Sequence, residues 1–132
     1  LLQPAKVQIN NKLNANKHYD VAFTSGATES NNIALKGVVY RKFDTANVII
    51  TSVLKHQSVL DVERYLEKRE GFKEKYVDAT KNGRIDIQHF TELMSDKVGL
   101  FTCMNINNRT GQIQLIAEMA ESLKQYTKGH FR

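Results

Sequence analysis

One short segment constrains the fold more than any other part of the chain. Residues 46–53 have the sequence Ala-Asn-Val-Ile-Ile-Thr-Ser-Val, which is largely apolar, rich in β-branched side chains and free of charge. A strand with one face in water alternates apolar and polar residues, whereas a continuous apolar run is typical of a strand in a parallel sheet that is covered on both faces. We therefore expect a buried strand here, with other elements packed against each of its faces.

Strand and helix patterns alternate along the rest of the chain, which indicates an α/β fold: a largely parallel or mixed sheet flanked by helices in three layers. The predicted strands are residues 21–24, 46–53, 72–77 and 98–106. The predicted helices are residues 1–17, one ending near residue 43, 57–69, a short one capped by Asp86, and 115–126. In the helix at 57–69 we expect Val59, Val62, Tyr65 and Leu66 to face inward and Gly71 to mark the end, and Asn82-Gly83 predicts a turn. No repeat or low-complexity linker interrupts this order, so we expect residues 1–132 to form a single domain.

The composition is that of a globular protein, with 41% hydrophobic and 25% charged residues. The formal net charge is +5, but the basic residues are scattered and not interleaved with aromatic residues, so we expect no nucleic-acid partner. No apolar run is long enough for a membrane span, and there is no signal-peptide pattern. The single cysteine excludes an internal disulfide and fits a reducing compartment, so we expect a cytoplasmic location.

The segment after the first predicted strand has the pattern of a phosphate-binding turn. Residues 24–28 are small and polar, and a helical stripe begins directly after them. A strand, a tight turn and a helix together direct free backbone N–H groups at an anion, and Gly26 allows close approach. The hydroxyls of Ser25 and Thr28 can donate to phosphate oxygens. The alternative is an ordinary turn closed by a capping serine or threonine, and the local pattern leaves it open.

The sequence of residues 24–32, Thr-Ser-Gly-Ala-Thr-Glu-Ser-Asn-Asn, resembles the phosphate cup of cysteine desulfurases. These enzymes belong to the class V aminotransferase group of fold type I and use pyridoxal 5′-phosphate (PLP). Two more motifs follow in the family's order, at residues 49–60 and 107–112, and the similarity extends from about Lys17 to Phe131. The resemblance implies part of a PLP-binding large domain. It also implies conversion of L-cysteine to L-alanine and an enzyme persulfide, which supplies sulfur for iron–sulfur clusters or thio-cofactors.

The same resemblance implies roles for four residues. Ala27 and Thr28 would bind the phosphate, His56 would stack on the pyridine ring and assist proton transfer, and Asn108 would hydrogen-bond the phenolic oxygen. The alternatives are a packed or solvent-exposed histidine and an asparagine that only shapes a turn. The topology favours one shared site, because each motif follows a predicted strand and ligands bind at the carboxyl ends of such strands. The histidine spacing indicates no metal site.

The chain does not contain other motifs that the family's chemistry requires, namely the Schiff-base lysine, the aspartate that pairs with the pyridine nitrogen and the catalytic cysteine. Cys103 lies in an apolar strand pattern, so we expect a buried, inert thiol. We expect noncovalent PLP binding at most, and no desulfurase turnover by this chain alone. The alternative function is a noncatalytic remnant or a module that binds a sulfur-acceptor protein.

Two further expectations concern charge and association. Lys55, Arg109 and Arg132 depart from the family's usual residues, and we expect all three to add positive charge near the site. A buried type of strand such as 46–53 or 98–106 would also lie at a sheet edge if strands of the family's sheet are missing. An exposed apolar edge pairs with other chains, so we expect self-association.

Overall fold

A computed structural model describes residues 2–15, 20–42 and 44–127, without the side chains of residues 42 and 125–127. The strands in this part of the chain are β1 (Val48–Ser52), β2 (Lys73–Val77) and β3 (Val98–Thr102). The helices are α1 (Leu2–Lys12), α2 (Ala27–Lys42), α3 (Gln57–Glu70), α4 (Ile87–Leu93) and α5 (Ile116–Thr127). The predicted α/β fold is therefore confirmed, with most elements near their predicted positions.

The three strands form a parallel sheet in the order β2-β1-β3. Every residue of β1 is buried, which confirms the interpretation of the apolar run and places it at the centre of the sheet. The register between β1 and β3 shifts by one residue, because Val48 pairs with Val98 while Ile49 pairs with Leu100. Gly99 is the extra residue, and a Cβ atom added there would lie 2.7 Å from the carbonyl oxygen of Ala46. Only a glycine lets the two backbones approach this closely.

The side chains of β1 alternate between two hydrophobic cores, which makes the fold three layers deep. Ile49 points to the core on the α2 and α3 side, while Val48 and Ile50 point to the core on the α4 and α5 side. The first core comprises Leu35, Val39, Ile49, Val62, Leu66 and Phe72. The second comprises Val48, Ile50, Val77, Ile85, Phe90 and Met119. Each helix pair thus covers one face of the sheet.

Several local signals are confirmed by the backbone. Asp86 is the N-cap of α4, and its carboxylate accepts the backbone N–H of His89 at 3.1 Å. Gly71 ends α3 in the left-handed region with φ 75°, and Gly83 has φ 74° at the predicted turn. These positions favour glycine because a side chain is strained there.

Three predictions about elements are wrong. Residues 21–24 form no strand, because a strand requires a hydrogen-bonded neighbour and the described sheet offers this segment none. β3 ends at Thr102 rather than residue 106. Tyr65 was expected to face inward but is 44% exposed, because Val62 and Leu66 already occupy the inner face of α3. Residues 1, 16, 17 and 43, which belonged to predicted helices, lie outside the described residues.

Candidate cofactor site

The predicted phosphate turn opens α2, as the sequence pattern indicates. The first hydrogen bond of this helix joins the backbone N–H of Ser30 to the carbonyl of Gly26 at 3.1 Å. The N–H groups of Ala27, Thr28 and Glu29 precede that bond, so they have no partner within the helix. Ala27 and Thr28 are exposed. No heavy atom lies within 4 Å of the point that a Cβ atom of Gly26 would occupy, so there is open space at the turn.

The carboxylate of Glu29 accepts hydrogen bonds from the turn that forms the cup. The hydroxyl and the backbone N–H of Ser25 both donate to Glu29 Oε2 at 2.7 Å. These hydrogen bonds, the hydroxyl's first, hold the pKa of the Glu29 carboxyl below its ordinary value. The Ser25 hydroxyl, which was a predicted phosphate donor, is therefore bound to Glu29. The expectation that Thr28 supplies a hydroxyl is not affected.

His56 ends the short loop that follows β1 and is the N-cap residue of α3. Its Nδ1 atom accepts the backbone N–H of Ser58 at 3.2 Å and lies 2.9 Å from the Ser58 hydroxyl oxygen. Histidine is not among the preferred N-cap residues, but here its ring accepts the hydrogen bond that a carboxylate or hydroxyl usually accepts at this position. The imidazole is exposed while its Nδ1 edge is held, so the Nε2 edge remains available to a ligand.

The cup and His56 are joined by one side-chain hydrogen bond. Asn31, one turn into α2, donates from Nδ2 to the Ser58 Oγ at 2.9 Å. Because Ser58 is in the first turn of α3 and caps against His56, the N-termini of the two helices lie side by side. The structure thus brings together the cup and the histidine that the sequence places 28 residues apart, counting from Thr28 to His56.

Asn108 lies in the loop that follows β3 and is exposed. The neighbouring Asn107 shapes this loop, since its Oδ1 accepts the backbone N–H groups of Arg109 at 2.9 Å and Thr110 at 3.0 Å. The turn-shaping alternative weighed for Asn108 therefore belongs to Asn107, and the Asn108 side chain is not required for it. Arg109 is exposed in the same loop, and Arg132 lies outside the described residues.

The expectation that Lys55 adds free positive charge to the site is wrong. Its side chain is 2% exposed and its ammonium contacts the carboxylate of Glu63, which is fully buried. A second carboxylate, that of Glu74, lies 3.9 Å away and is 2% exposed. The Thr51 hydroxyl accepts from the ammonium at 2.7 Å. Two buried carboxylates therefore lie beside this one ammonium, a set that we call the Lys55 cluster (Lys55, Glu63 and Glu74).

Cys103 follows β3 and lines a groove of about 960 Å³ between α2, β3 and α5. Burial raises the pKa of its thiol to about 11, so little thiolate is present near neutral pH. The residue is half-buried and lies just after β3, whereas a buried position within the strand was expected. The same groove is lined by Asn31 and Asn105. The cup helix and the segment that follows β3 therefore border one groove along the edge of β3.

Sequence reasoning missed Asn31, Ser58 and the Lys55 cluster. The contact of Ser58 could have been predicted. A helix that begins at Gln57 has His56 as its N-cap, and an N-cap side chain accepts a hydrogen bond from the backbone N–H two or three residues later. No local signal links Asn31 to Ser58 or Lys55 to Glu74. Among the described residues, no group of histidine, cysteine and acidic side chains could bind a metal ion. None of the described helices is long and apolar enough to cross a membrane.

Comparison with solved structures supports the same architecture. A NifS-like protein superposes on 95% of this chain with a TM-score of 0.87 and 30% sequence identity, and the match covers 34% of that protein. A structure described as SspA in complex with cysteine matches 77% of this chain with a TM-score of 0.70 and 31% identity, over 29% of that chain.

Sequence comparison agrees. The cysteine desulfurase IscS of Vibrio cholerae serotype O1 (strain M66-2) is 44% identical over 117 residues, which is 89% of this chain and 28% of that enzyme. The IscS of Pseudoalteromonas translucida is 37% identical over 125 residues, or 95% of this chain and 30% of that enzyme. The chain thus spans less than a third of the length of these relatives. The family model for class-V aminotransferases matches residues 1–130. The chain belongs to the class-V aminotransferase family.

Proposed function

We propose that this chain carries the phosphate-cup and ring-stacking half of a PLP site of the cysteine desulfurase type. The observation that carries the proposal is the 2.9 Å hydrogen bond from Asn31 to Ser58, which holds the free amides of the cup next to His56. A ligand with a phosphate and a flat ring would have a partner for each of its ends there. The family membership and the identity to IscS enzymes support the choice of PLP as that ligand.

The residues around the cup, His56 and Asn108 fit PLP. The first-turn N–H groups of Ala27 and Thr28, with the Thr28 hydroxyl, would bind the phosphate, and the positive end of the α2 dipole favours its charge. The exposed imidazole of His56 would lie against the pyridine ring, and the Asn108 amide would hydrogen-bond the phenolic oxygen. When bound, PLP supplies an electron sink for reactions of amino acids. This chain's own residues orient the ring and fix its phosphate.

The substrate is proposed by analogy with the relatives. IscS enzymes are cysteine desulfurases, and the SspA structure contains cysteine. We propose L-cysteine as the substrate of a complete site, L-alanine and a persulfide as its products, and a sulfur-acceptor protein as the partner. Because burial raises the pKa of the Cys103 thiol and no Schiff-base motif occurs in the 132 residues, we propose that this chain binds PLP noncovalently and does not turn over alone.

We also propose that a second copy of the chain pairs along β3. This strand lies at one edge of the described sheet, its five residues carry no charge, and its free edge borders the apolar groove. The other edge strand, β2, has Lys73, Glu74 and Lys75 in sequence, and charges of this kind oppose strand pairing. Of the two alternatives expected at a sheet edge, residues 46–53 or 98–106, the second includes β3 and lies at an edge, while β1 in the first lies at the centre.

The proposed site is tested by titrating PLP into the purified chain and following its visible absorbance, followed by borohydride trapping. We expect saturable binding that Thr28→Ala and His56→Ala each weaken by at least several-fold, and no single trapped lysine. Ser122→Ala is the matched control, since it removes an exposed hydroxyl on α5. Binding that is absent, or that labels scattered lysines equally in all variants, would show that the chain has no PLP half-site. The noncatalytic alternative would then be favoured.

A further inference from the structure

The hydrogen bonds around His56 determine which of its ring nitrogens carries the proton. The backbone N–H of Ser58 points at Nδ1 at 3.2 Å, and a backbone N–H can only donate. Nδ1 must therefore present a lone pair. In a neutral imidazole with an unprotonated Nδ1, the proton is on Nε2, the atom that faces away from the cap.

The Ser58 hydroxyl reinforces this assignment. Its oxygen accepts the Nδ2–H of Asn31 at 2.9 Å, which leaves its own proton free for His56 Nδ1, also at 2.9 Å. The two hydrogen bonds run in one direction, from Asn31 to Ser58 and from Ser58 to His56. Ser58 is 7% exposed, so water competes little for its hydroxyl.

We propose that Asn31 and Ser58 are positioning residues that hold His56 as the Nε2–H tautomer. His56 then presents a hydrogen-bond donor, Nε2–H, on the ring edge away from Ser58, and cannot take up a proton at that nitrogen. The only lone pair of the neutral ring is at Nδ1, where Ser58 already occupies it. The role toward PLP rests on the proposed function, whereas the tautomer and its cause concern this chain alone.

The consequence for a complete site is specific. A histidine held in this way can stabilise negative charge on a neighbouring ligand atom by donation from Nε2. It can act as a base only after the bonds from Ser58 to Nδ1 are broken and the ring turns. Asn31 therefore couples the cup helix to the chemistry of His56, because it orients the hydroxyl that orients the ring.

The test is a long-range ¹H–¹⁵N NMR spectrum of the ¹⁵N-labelled chain, recorded without PLP about two pH units above the ordinary histidine pKa. His56→Gln identifies the signals of His56 among those of the four histidines. We expect the Nε2–H pattern in the wild type. In Ser58→Ala and in Asn31→Ala we expect the ratio of the two tautomers to change by about 2- to 10-fold toward Nδ1–H, which corresponds to the loss of one hydrogen bond. Ser58→Thr should restore the wild-type pattern.

His89, which lies on α4, is the internal control, and its signals should not change in any of these variants. An Nδ1–H tautomer in the wild type would overturn the proposal. A ratio unchanged in both alanine variants would also overturn it, because the backbone N–H alone would then fix the ring. If the wild-type and variant spectra agree with expectation but PLP does not bind, the proposed function fails and the positioning of His56 stands.

Discussion

Replacement of the buried Lys55 by methionine should strongly destabilise the fold, although the sequence shows only one lysine among many. The substitution keeps the apolar length of the side chain and removes the charge. It leaves the carboxylates of Glu63 and Glu74, whose side chains are 0% and 2% exposed, without a cation. Glu74 Oε1 has no hydrogen-bond partner among the described residues and lies 3.9 Å from the ammonium, while Glu74 Oε2 accepts the Tyr76 hydroxyl.

The magnitude follows from the burial of the partners. Removal of one member of a buried ion pair costs about 3–5 kcal/mol, because an uncompensated charge remains in the interior. Thr51 and Thr102 still donate to Glu63, at 3.2 Å and 2.6 Å. We therefore expect the free energy of unfolding to decrease by about 3 kcal/mol, the lower end of this range. Domains of ordinary stability unfold with about 5–15 kcal/mol, so the loss should be visible as a large decrease in the urea midpoint.

The assay is urea denaturation followed by far-ultraviolet circular dichroism, with the slope compared between variants. Lys124→Met is the matched control: its ammonium pairs with Glu121 at 2.6 Å, but both side chains are 68% exposed, so we expect a change below about 1 kcal/mol. The double variant Lys55→Met/Glu63→Gln should lose less than the sum of the two single changes, since each one strands a charge that the other removes. A Lys55→Met chain as stable as Lys124→Met would refute the account of the cluster.

Three further predictions follow from packing, burial and the sheet edge. Gly99→Ala should destabilise the fold by about 1–3 kcal/mol, because its Cβ would meet the backbone oxygen of Ala46. The Cβ of Gly37→Ala in α2 meets no atom within 4 Å, so this change should stabilise the fold by about 0.5–1 kcal/mol. Thermal melts in which Gly99→Ala is the more stable variant would contradict this. Cys103 should react with a disulfide reagent at pH 8 about 100-fold more slowly than an ordinary thiol of pKa 9, and the rate should rise until about pH 11; a rate equal to that of the urea-unfolded chain would contradict the raised pKa. Val38→Glu, on the groove beside β3, should shift sedimentation toward monomer, while Val7→Glu on α1 should not; a wild-type chain that is monomeric at all concentrations would exclude pairing along β3.

The fold was largely predictable because its main signals are local. The apolar run around β1, the cap at Asp86 and the glycine that ends α3 each depend on a few neighbouring residues. The strand predicted at residues 21–24 failed because pairing is not local, and a sequence of the right composition forms no strand without a neighbour. Tyr65 failed for a similar reason, since its ring lies under the ammonium of Lys36, 4.7 Å from the ring centroid, rather than in the core.

The candidate site was predictable in its parts but not in its connections. His56 and Asn108 come after β1 and β3, at the carboxyl end of the sheet, as the order of strands and helices requires. The cup follows no strand of this sheet, and it is the bond from Asn31 to Ser58 that holds it near His56. The bond between Asn31 and Ser58 spans 27 positions in the sequence, and no pattern within α2 or α3 announces it. Lys55 illustrates the same limit for charge, because a sequence shows how many cations there are but not which carboxylates are buried beside them.

The most direct test of the central claim, that the three motifs form one PLP half-site, is a titration of PLP into the ¹⁵N-labelled chain, with the amide spectrum recorded at each step. The account predicts that the amide signals of Ala27, Thr28, His56 and Asn108 shift together with one dissociation constant, while signals of α1 and of the α4 surface stay in place. Shifts that are scattered over the chain without saturation, or that involve the cup but neither His56 nor Asn108, would contradict the claim of a shared site.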